Sequence, residues 1–238
     1  MVYKKTITDI FNLIIKEYEL NTKCPHEYET FTYTTMSGKE VSIEVEELHQ
    51  RPAFQQAVQK VVDDYIQKGL SNKIWRVDVP DLDWIKGAKM YRTKNGSTIA
   101  IRPDGDIVAV SGKVGDDGYA LDNSEALMAY AVSQGGTKLD SFDGNWAFYR
   151  KCGFEPLQWI QFNTDKDIRP PLWDASRDHK EPVIFMSYTG NKKKLDTNGV
   201  INEMTKFYTT VRETDMSNAT PEDYSPWDVA YRVRDELM

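Results

Sequence analysis

An α+β fold, with one mixed and mostly antiparallel sheet flanked by helices, is what this 238-residue chain predicts. Three stretches carry that expectation. In the first, apolar runs at 88–93, 97–102 and 106–114 are separated by Asn95-Gly96 and by Pro103-Asp104-Gly105. Asn-Gly favours a two-residue hairpin turn and Pro-Asp-Gly a tight turn, so the three runs should form an antiparallel meander. The second stretch is residues 135–156, GGTKLDSFDGNWAFYRKCGFEP. Its glycine pair ends one helix, 137–142 reads as a short strand, and 145–152 reads as a short helix stopped by Gly153. The third is the return to extended chain: Leu157, Trp159, Ile160 and Phe162, and later 183–188, suit strands covered on both faces.

The remaining elements follow in chain order. An amphipathic helix is expected over 8–20, with Ile10, Phe11, Ile14 and Tyr18 at helical spacing. A β-hairpin should join 28–35 to 40–45 around Met36-Ser37-Gly38-Lys39. Pro52 suits the first turn of a second helix, which carries Phe54, Val58, Val61, Val62, Tyr65 and Ile66 and ends at Gly69. Residues 74–79 read as a strand and 81–87 as a turn or a brief helix. A helix over 124–134 would be capped by Asp122, Asn123 or Ser124. The Pro-rich connection 163–181 is longer than an ordinary hairpin loop, so it is either a lid or an insertion packed by Trp173. Asn191-Lys192-Lys193-Lys194 marks a solvated boundary. Two tail helices follow: one carries Val200, Met204, Phe207, Tyr208 and Val211, and the other opens with Ser225-Pro226-Trp227-Asp228 as cap and first turn. The expected organisation is an N-terminal extension over 1–70, a central domain over 71–190 and a helical tail over 191–238.

Composition narrows the function classes. A net charge of −7 and a pI near 5.1 argue against a broad electrostatic footprint for nucleic acid or an anionic membrane. Two cysteines, Cys24 and Cys152, give no disulfide framework, and His26, His49 and His179 give no metal spacing. Residues 10–15 are too short and too closely followed by charge for a signal peptide, and no stretch is long enough to span a bilayer. The expected setting is cytoplasmic, with no metal, no nucleic acid and no membrane.

Asn145, Tyr149, Gly153, Phe154, Glu155 and Pro156 then matter together. Tyr149-x-x-x-Gly153-Phe154, after an Asn and before Glu-Pro, resembles the closing motif of the GCN5-related N-acetyltransferase (GNAT) superfamily, and with the meander upstream the resemblance spans 73–188. It implies acetyl-CoA as cofactor and an amine as acceptor. It also implies that the strand over 106–114 splays from the strand over 137–142 around the pantetheine arm, held by backbone near Val110 and Ser111. Tyr149 becomes the acid that protonates the departing thiolate. Gly118 and Ala120, and Asn145 further on, take the other cofactor-binding positions, Gly118 and Ala120 because that family cradles the diphosphate on a loop of the form Arg/Gln-x-x-Gly-x-Gly/Ala. Here Gly115 stands at the Arg/Gln position, and Asp116, Asp117, Asp122 and Glu125 lie where a polyanion would sit. A like-charge pair at about 4 Å costs about 1 to 4 kcal/mol, whereas a helix N-terminus returns about 0.3 to 1 kcal/mol. Asp140, Asp143 and Glu155 are equally available in sequence as a base. Chains with a GGTKLD-type strand before the Tyr motif resemble divergent members from phages and mobile elements. Two functions stay open: an acetyl-CoA-dependent N-acyltransferase, or a degenerate member kept as a protein-binding or assembly module.

Overall fold

A computed structural model describes residues 27–77, 79–163, 170–223 and 225–238. The helix expected over 8–20 lies outside these. Strand β1 (Glu29–Thr34) and strand β2 (Glu40–Glu47) form the expected hairpin, with Gly38 at φ 81° in the turn. Helix α1 (Arg51–Gln67) follows, with Pro52 in its first turn. Five of its six predicted stripe residues are buried, whereas Ile66 is exposed.

The run at 74–79 departs from its expected form. Ser71–Ile74 is a single helical turn, α2, and the backbone bonds that follow are local, Lys73 N–H to Leu70 C=O and Val77 N–H to Ile74 C=O. Ile74 packs against Val61, Val62 and Tyr65 of α1. Apolar side chains that could have paired in a sheet are satisfied by a helix face instead, so tertiary packing overrides their β propensity.

The meander is β3 (Lys89–Thr93), β4 (Thr98–Ile101) and β5 (Asp106–Ser111), joined at Asn95-Gly96 and at Pro103-Asp104-Gly105. Gly96 and Gly105 both have positive φ, the conformation that their turns require. β5 stops at Ser111, short of the expected 114. Tyr65 Oη donates to Gly112 C=O at 2.9 Å and Lys68 Nζ to Val114 C=O at 2.8 Å, which draws the chain off the sheet and onto α1.

Helix α3 (Ser124–Ser133) is capped by Asn123, whose side chain accepts from Ala126 N–H. Strand β6 (Lys138–Phe142) follows, then a 3₁₀ turn (Asp143–Asn145) and helix α4 (Trp146–Cys152), ended by Gly153 at φ 95°. Strands β7 (Phe154–Ile160) and β8 (Val183–Tyr188) complete the sheet, followed by helix α5 (Thr197–Thr210) and helix α6 (Pro226–Leu237), the latter capped by Ser225. The eight strands run in the order β1-β2-β3-β4-β5-β6-β8-β7, and every neighbouring pair is antiparallel except β5 with β6. β2 pairs with β3, so the hairpin expected in an N-terminal extension continues the same sheet.

The alternation of strand side chains assigns the helices to faces. Ile99, Ile101, Ile107, Leu139, Ile184 and Met186 share a core with α3, α4 and Phe207 of α5. On the other face Ala100 and Val108 meet Phe54 and Val58 of α1, while Val183 and Phe185 meet Ala230 of α6. Both tail helices are therefore docked on their own sheet.

Buried charge fastens α5. Glu203 accepts from Trp146 Nε1 and Arg150 Nε, each at 2.9 Å, and from Lys193 Nζ at 2.8 Å. Burial pushes its carboxyl up, but these donors outweigh it and hold the group at about 2. Among the described residues no helix is long and apolar enough to cross a membrane.

Candidate functional site

The parallel pair positions the site. β5 and β6 share two rungs, Asp106↔Lys138 and Ile107↔Leu139, and then part. A bulge lies at the divergence: between the pairs Thr98↔Ser111 and Ala100↔Val108, β5 spends one residue more than β4. Ala109 sits there at φ 51°, the sole non-glycine with positive φ among the described residues. Such a backbone costs about 1 to 3 kcal/mol and persists where surrounding structure enforces it, commonly at working sites.

A cleft of about 190 Å³ opens along this divergence. Ile107, Val108, Ala109 and Val110 form one wall, and Asp140, Ser141, Phe142, Asn145 and Tyr149 another. Arg76 and Trp84 close it from the α2–β3 connection, Phe162 and Asn163 from the end of β7, and Trp227 from α6. Tyr149 belongs to the core on the α4 face and Trp227 packs on the α6 face, so the cleft passes between the parted strands.

Because Leu139 faces the α4 side, its neighbour Asp140 faces α6. Tyr231 Oη donates to Asp140 Oδ1 at 2.8 Å. On β5, opposite Lys138, the fully buried Asp106 accepts from Arg234 Nη1 at 3.0 Å, while its Oδ2 has no hydrogen-bond partner. Arg102 Nη1 stands 3.9 Å from that oxygen. Lys138 lies between Asp235, at 2.7 Å, and Asp104, at 3.3 Å. Burial, and then the neighbouring Asp140, push the Asp106 carboxyl up to about 7 against the pull of Arg234. Burial likewise raises Asp140, opposed by the Tyr231 hydrogen bond and by Arg234.

Burial raises the Tyr149 hydroxyl too, with the Ser141 hydroxyl pulling the other way, so the phenol keeps its proton at neutral pH. Ser141 Oγ also accepts from Asn145 Nδ2 at 3.0 Å. Cys152 is pushed up to about 12 by burial and is no nucleophile.

Of the residues that sequence singled out, Val110, Asn145 and Tyr149 meet on the cleft. Ser111 does not: it is buried, with its Oγ 2.6 Å from Thr98 Oγ1. Gly118 and Ala120 lie in a loop that folds back on itself. Gly115 N–H donates to Tyr119 C=O, Gly118 N–H to Gly115 C=O, Leu121 N–H to Lys113 C=O and Tyr119 N–H to Asp117 Oδ1. These four amides, which a diphosphate cradle would need, are thus spent within the turn.

The acidic residues of this loop are also accounted for. Thr93 and Ser97 hydroxyls each donate to Asp122 Oδ2 at 2.6 Å, and Glu125 pairs with Lys151 at 2.5 Å. The fully exposed Asp116 stands 3.6 Å from Lys68 Nζ. Solvated charges repel weakly. Were the diphosphate expected from the family resemblance to sit at this loop, Asp116→Asn with Asp117→Asn would improve acetyl-CoA affinity by no more than about fivefold, about 1 kcal/mol at water-like screening. Calorimetry checks this, and a fiftyfold gain would put both carboxylates on the phosphate path.

Sequence reasoning could not choose among Asp140, Asp143 and Glu155, and among these the cleft is lined by Asp140. It missed the bulge at Ala109, for which alanine gives no signal, and the wall residues Trp84 and Trp227. Trp227 had a partial signal, an aromatic residue in a well-capped first turn. No family model, no curated protein and no solved structure matches the chain.

Proposed function

We propose that this protein transfers an acyl group, with acetyl as the simplest case, from a coenzyme A thioester to an amine at the β5–β6 divergence. The observation that carries the reading is a two-rung parallel pair opening on a cleft that brings Asp140 and Tyr149 to one wall and bulged backbone to the other. The mixed sheet and the Tyr149-x-x-x-Gly153-Phe154 unit support it, being the features in which the chain resembles the GNAT superfamily.

The chain's own groups account for the proton traffic. An acceptor bound as an ammonium first gives one proton to the base, the freed nitrogen attacks the thioester carbonyl carbon, and the second proton that it then sheds replaces the one Tyr149 loses; the base is Asp140. Its raised affinity for a proton suits a general base working near neutral pH. In this reading backbone amides beside the bulge, near Val110, polarise the carbonyl. As the carbon–sulfur bond breaks, Tyr149 gives its proton to the sulfur. A thiolate expelled into a buried site is made more basic by the same desolvation that holds the phenol's proton. The cleft suits the acyl end of the donor. The 112–121 loop spends four of its amides within its own turn, so affinity for the donor's diphosphate is expected to be weak.

A thermal-shift titration with acetyl-CoA tests the reading. Ten times Kd adds about 1.4 kcal/mol to the native state, about 3 to 6 °C for a chain of this size. No shift at millimolar acetyl-CoA would remove the donor. The second reading, a protein-binding or assembly module of this fold, would then lead, and the self-satisfied loop is the observation that favours it.

A further inference from the structure

We propose that the cleft's ligand is an arylalkylamine: a primary ammonium on a short arm from a flat apolar ring, with the ammonium against Asp140 and the ring against Trp84, Phe162 and Trp227. The inference rests on the acyl-transfer reading only in making this ligand the acceptor.

Charge is the first argument. Among the described residues Asp140 is the one carboxylate lining the cleft, and in the charge cluster beyond it three more carboxylates, Asp104, Asp106 and Asp235, stand against three cations, Arg102, Lys138 and Arg234. Lys138 is taken by Asp104 and Asp235, and Arg234 by Asp106 and Asp235. Arg102 is nearest Asp106. Asp140 is left with the neutral phenol of Tyr231 in contact, and among the described residues it makes no ion pair. A half-buried carboxylate with no cation in contact feels Arg234 and Arg102 only at longer range, and an ammonium beside it forms a charge-assisted hydrogen bond that a neutral or acidic ligand cannot. The charge on the opposite wall does not compete. Arg76 is gripped by both oxygens of Glu181 and lies 4.6 Å from the Trp75 ring centre.

Shape is the second argument. A closed apolar cavity of about 150 Å³ accommodates benzene, so about 190 Å³ leaves room for one six-membered ring and a two-carbon arm. The aromatic walls add cation–π attraction for the ammonium during entry and stacking for the ring afterwards. Trp84 is 41% exposed and stands at the mouth.

The test is calorimetry without acyl donor, comparing phenethylamine, phenethyl alcohol and 3-phenylpropionate on the wild type and on Asp140→Asn. Asparagine still accepts from Tyr231 and removes one of two neighbouring like charges, so this variant should fold. Phenethylamine is expected to bind at least tenfold tighter than either neutral or acidic analogue, and to lose at least tenfold with Asp140→Asn. Trp227→Leu should weaken phenethylamine and leave methylamine unchanged. Alcohol and amine binding equally, or an amine indifferent to Asp140→Asn, would overturn the inference. Protein that binds acetyl-CoA but no phenethylamine overturns this inference and leaves acyl transfer standing. Phenethylamine bound without acetyl-CoA supports the amine site and removes the donor.

Discussion

Arg234→Met is expected to lose about 3 to 5 kcal/mol of stability at pH 8 and distinctly less at pH 5. Arg234 is as buried as the carboxylate that it holds, and it is the one hydrogen-bonded cation on Asp106. Removing one member of a buried pair leaves an uncompensated charge, which is where the loss comes from. Methionine keeps an unbranched apolar stem in place of arginine's and loses the guanidinium, which lies 5.0 Å from the centre of the Tyr231 ring, so the experiment reads charge more than packing.

The sign of the pH dependence follows from the raised Asp106 carboxyl, at about 7 in the folded protein against 3.8 for the free group. Between those values the native state holds a proton that the unfolded chain has released. Its contribution to stability is therefore complete below about pH 4 and is lost as pH rises through about 7. Without Arg234 the carboxyl rises further, so the variant is penalised most where ionisation is demanded, above pH 7. At pH 5 the loss is that of the hydrogen bonds to Asp106 and to the more exposed Asp235, about 1 to 2 kcal/mol. Glu203 runs in the opposite sense, because its depressed carboxyl gives stability above about 4.5 that fades toward pH 2. Urea unfolding at the two pH values measures the difference, and adding Asp106→Asn should restore most of the loss at pH 8. Equal losses at pH 5 and pH 8 would mean that the residue acts through packing alone.

What the sequence made legible here was local. Asn95-Gly96, Gly105 and Gly153 announce their turns because the conformation belongs to the residue itself, and the meander and the β6–α4–β7 unit follow from them. Pro52 and Ser225 mark helix starts for the same reason. Residues 74–79 misled because a strand needs a partner, and Ile74 finds its partner in the face of α1. The site was harder still. Asp140 becomes distinct from Asp143 only once α6, some ninety residues later, lays Tyr231 and Arg234 against one face of β6. The loop at 115–120 had nearly the right letters, yet the structure spends its amides internally, and no spacing rule reports that. Arg150 gave no hint of burial either. It lies in the core because Glu203 of α5 arrives to meet it.

In the proposed acyl transfer the phenol acts only as the sulfur leaves, so Tyr149→Phe is expected to lower kcat by about 10² to 10⁴ with KM nearly constant. Stability should change by no more than about 1 kcal/mol. The ring is held by Phe148 and Phe154, with centres 5.0 and 6.1 Å away, and phenylalanine keeps both contacts. What disappears is one hydroxyl beside Ser141, whose own oxygen still accepts from Asn145. This separation of rate from stability distinguishes an acid from an aromatic residue that merely fills the edge of the core. A catalytic acid removed at constant packing costs turnover, whereas a buried hydroxyl that serves the fold costs melting temperature. Turnover with phenethylamine and acetyl-CoA, read beside a melting curve, decides it. Wild-type turnover in the variant would move the proton's source elsewhere on the cleft wall, and a large drop in melting temperature at unchanged turnover would make Tyr149 a core residue.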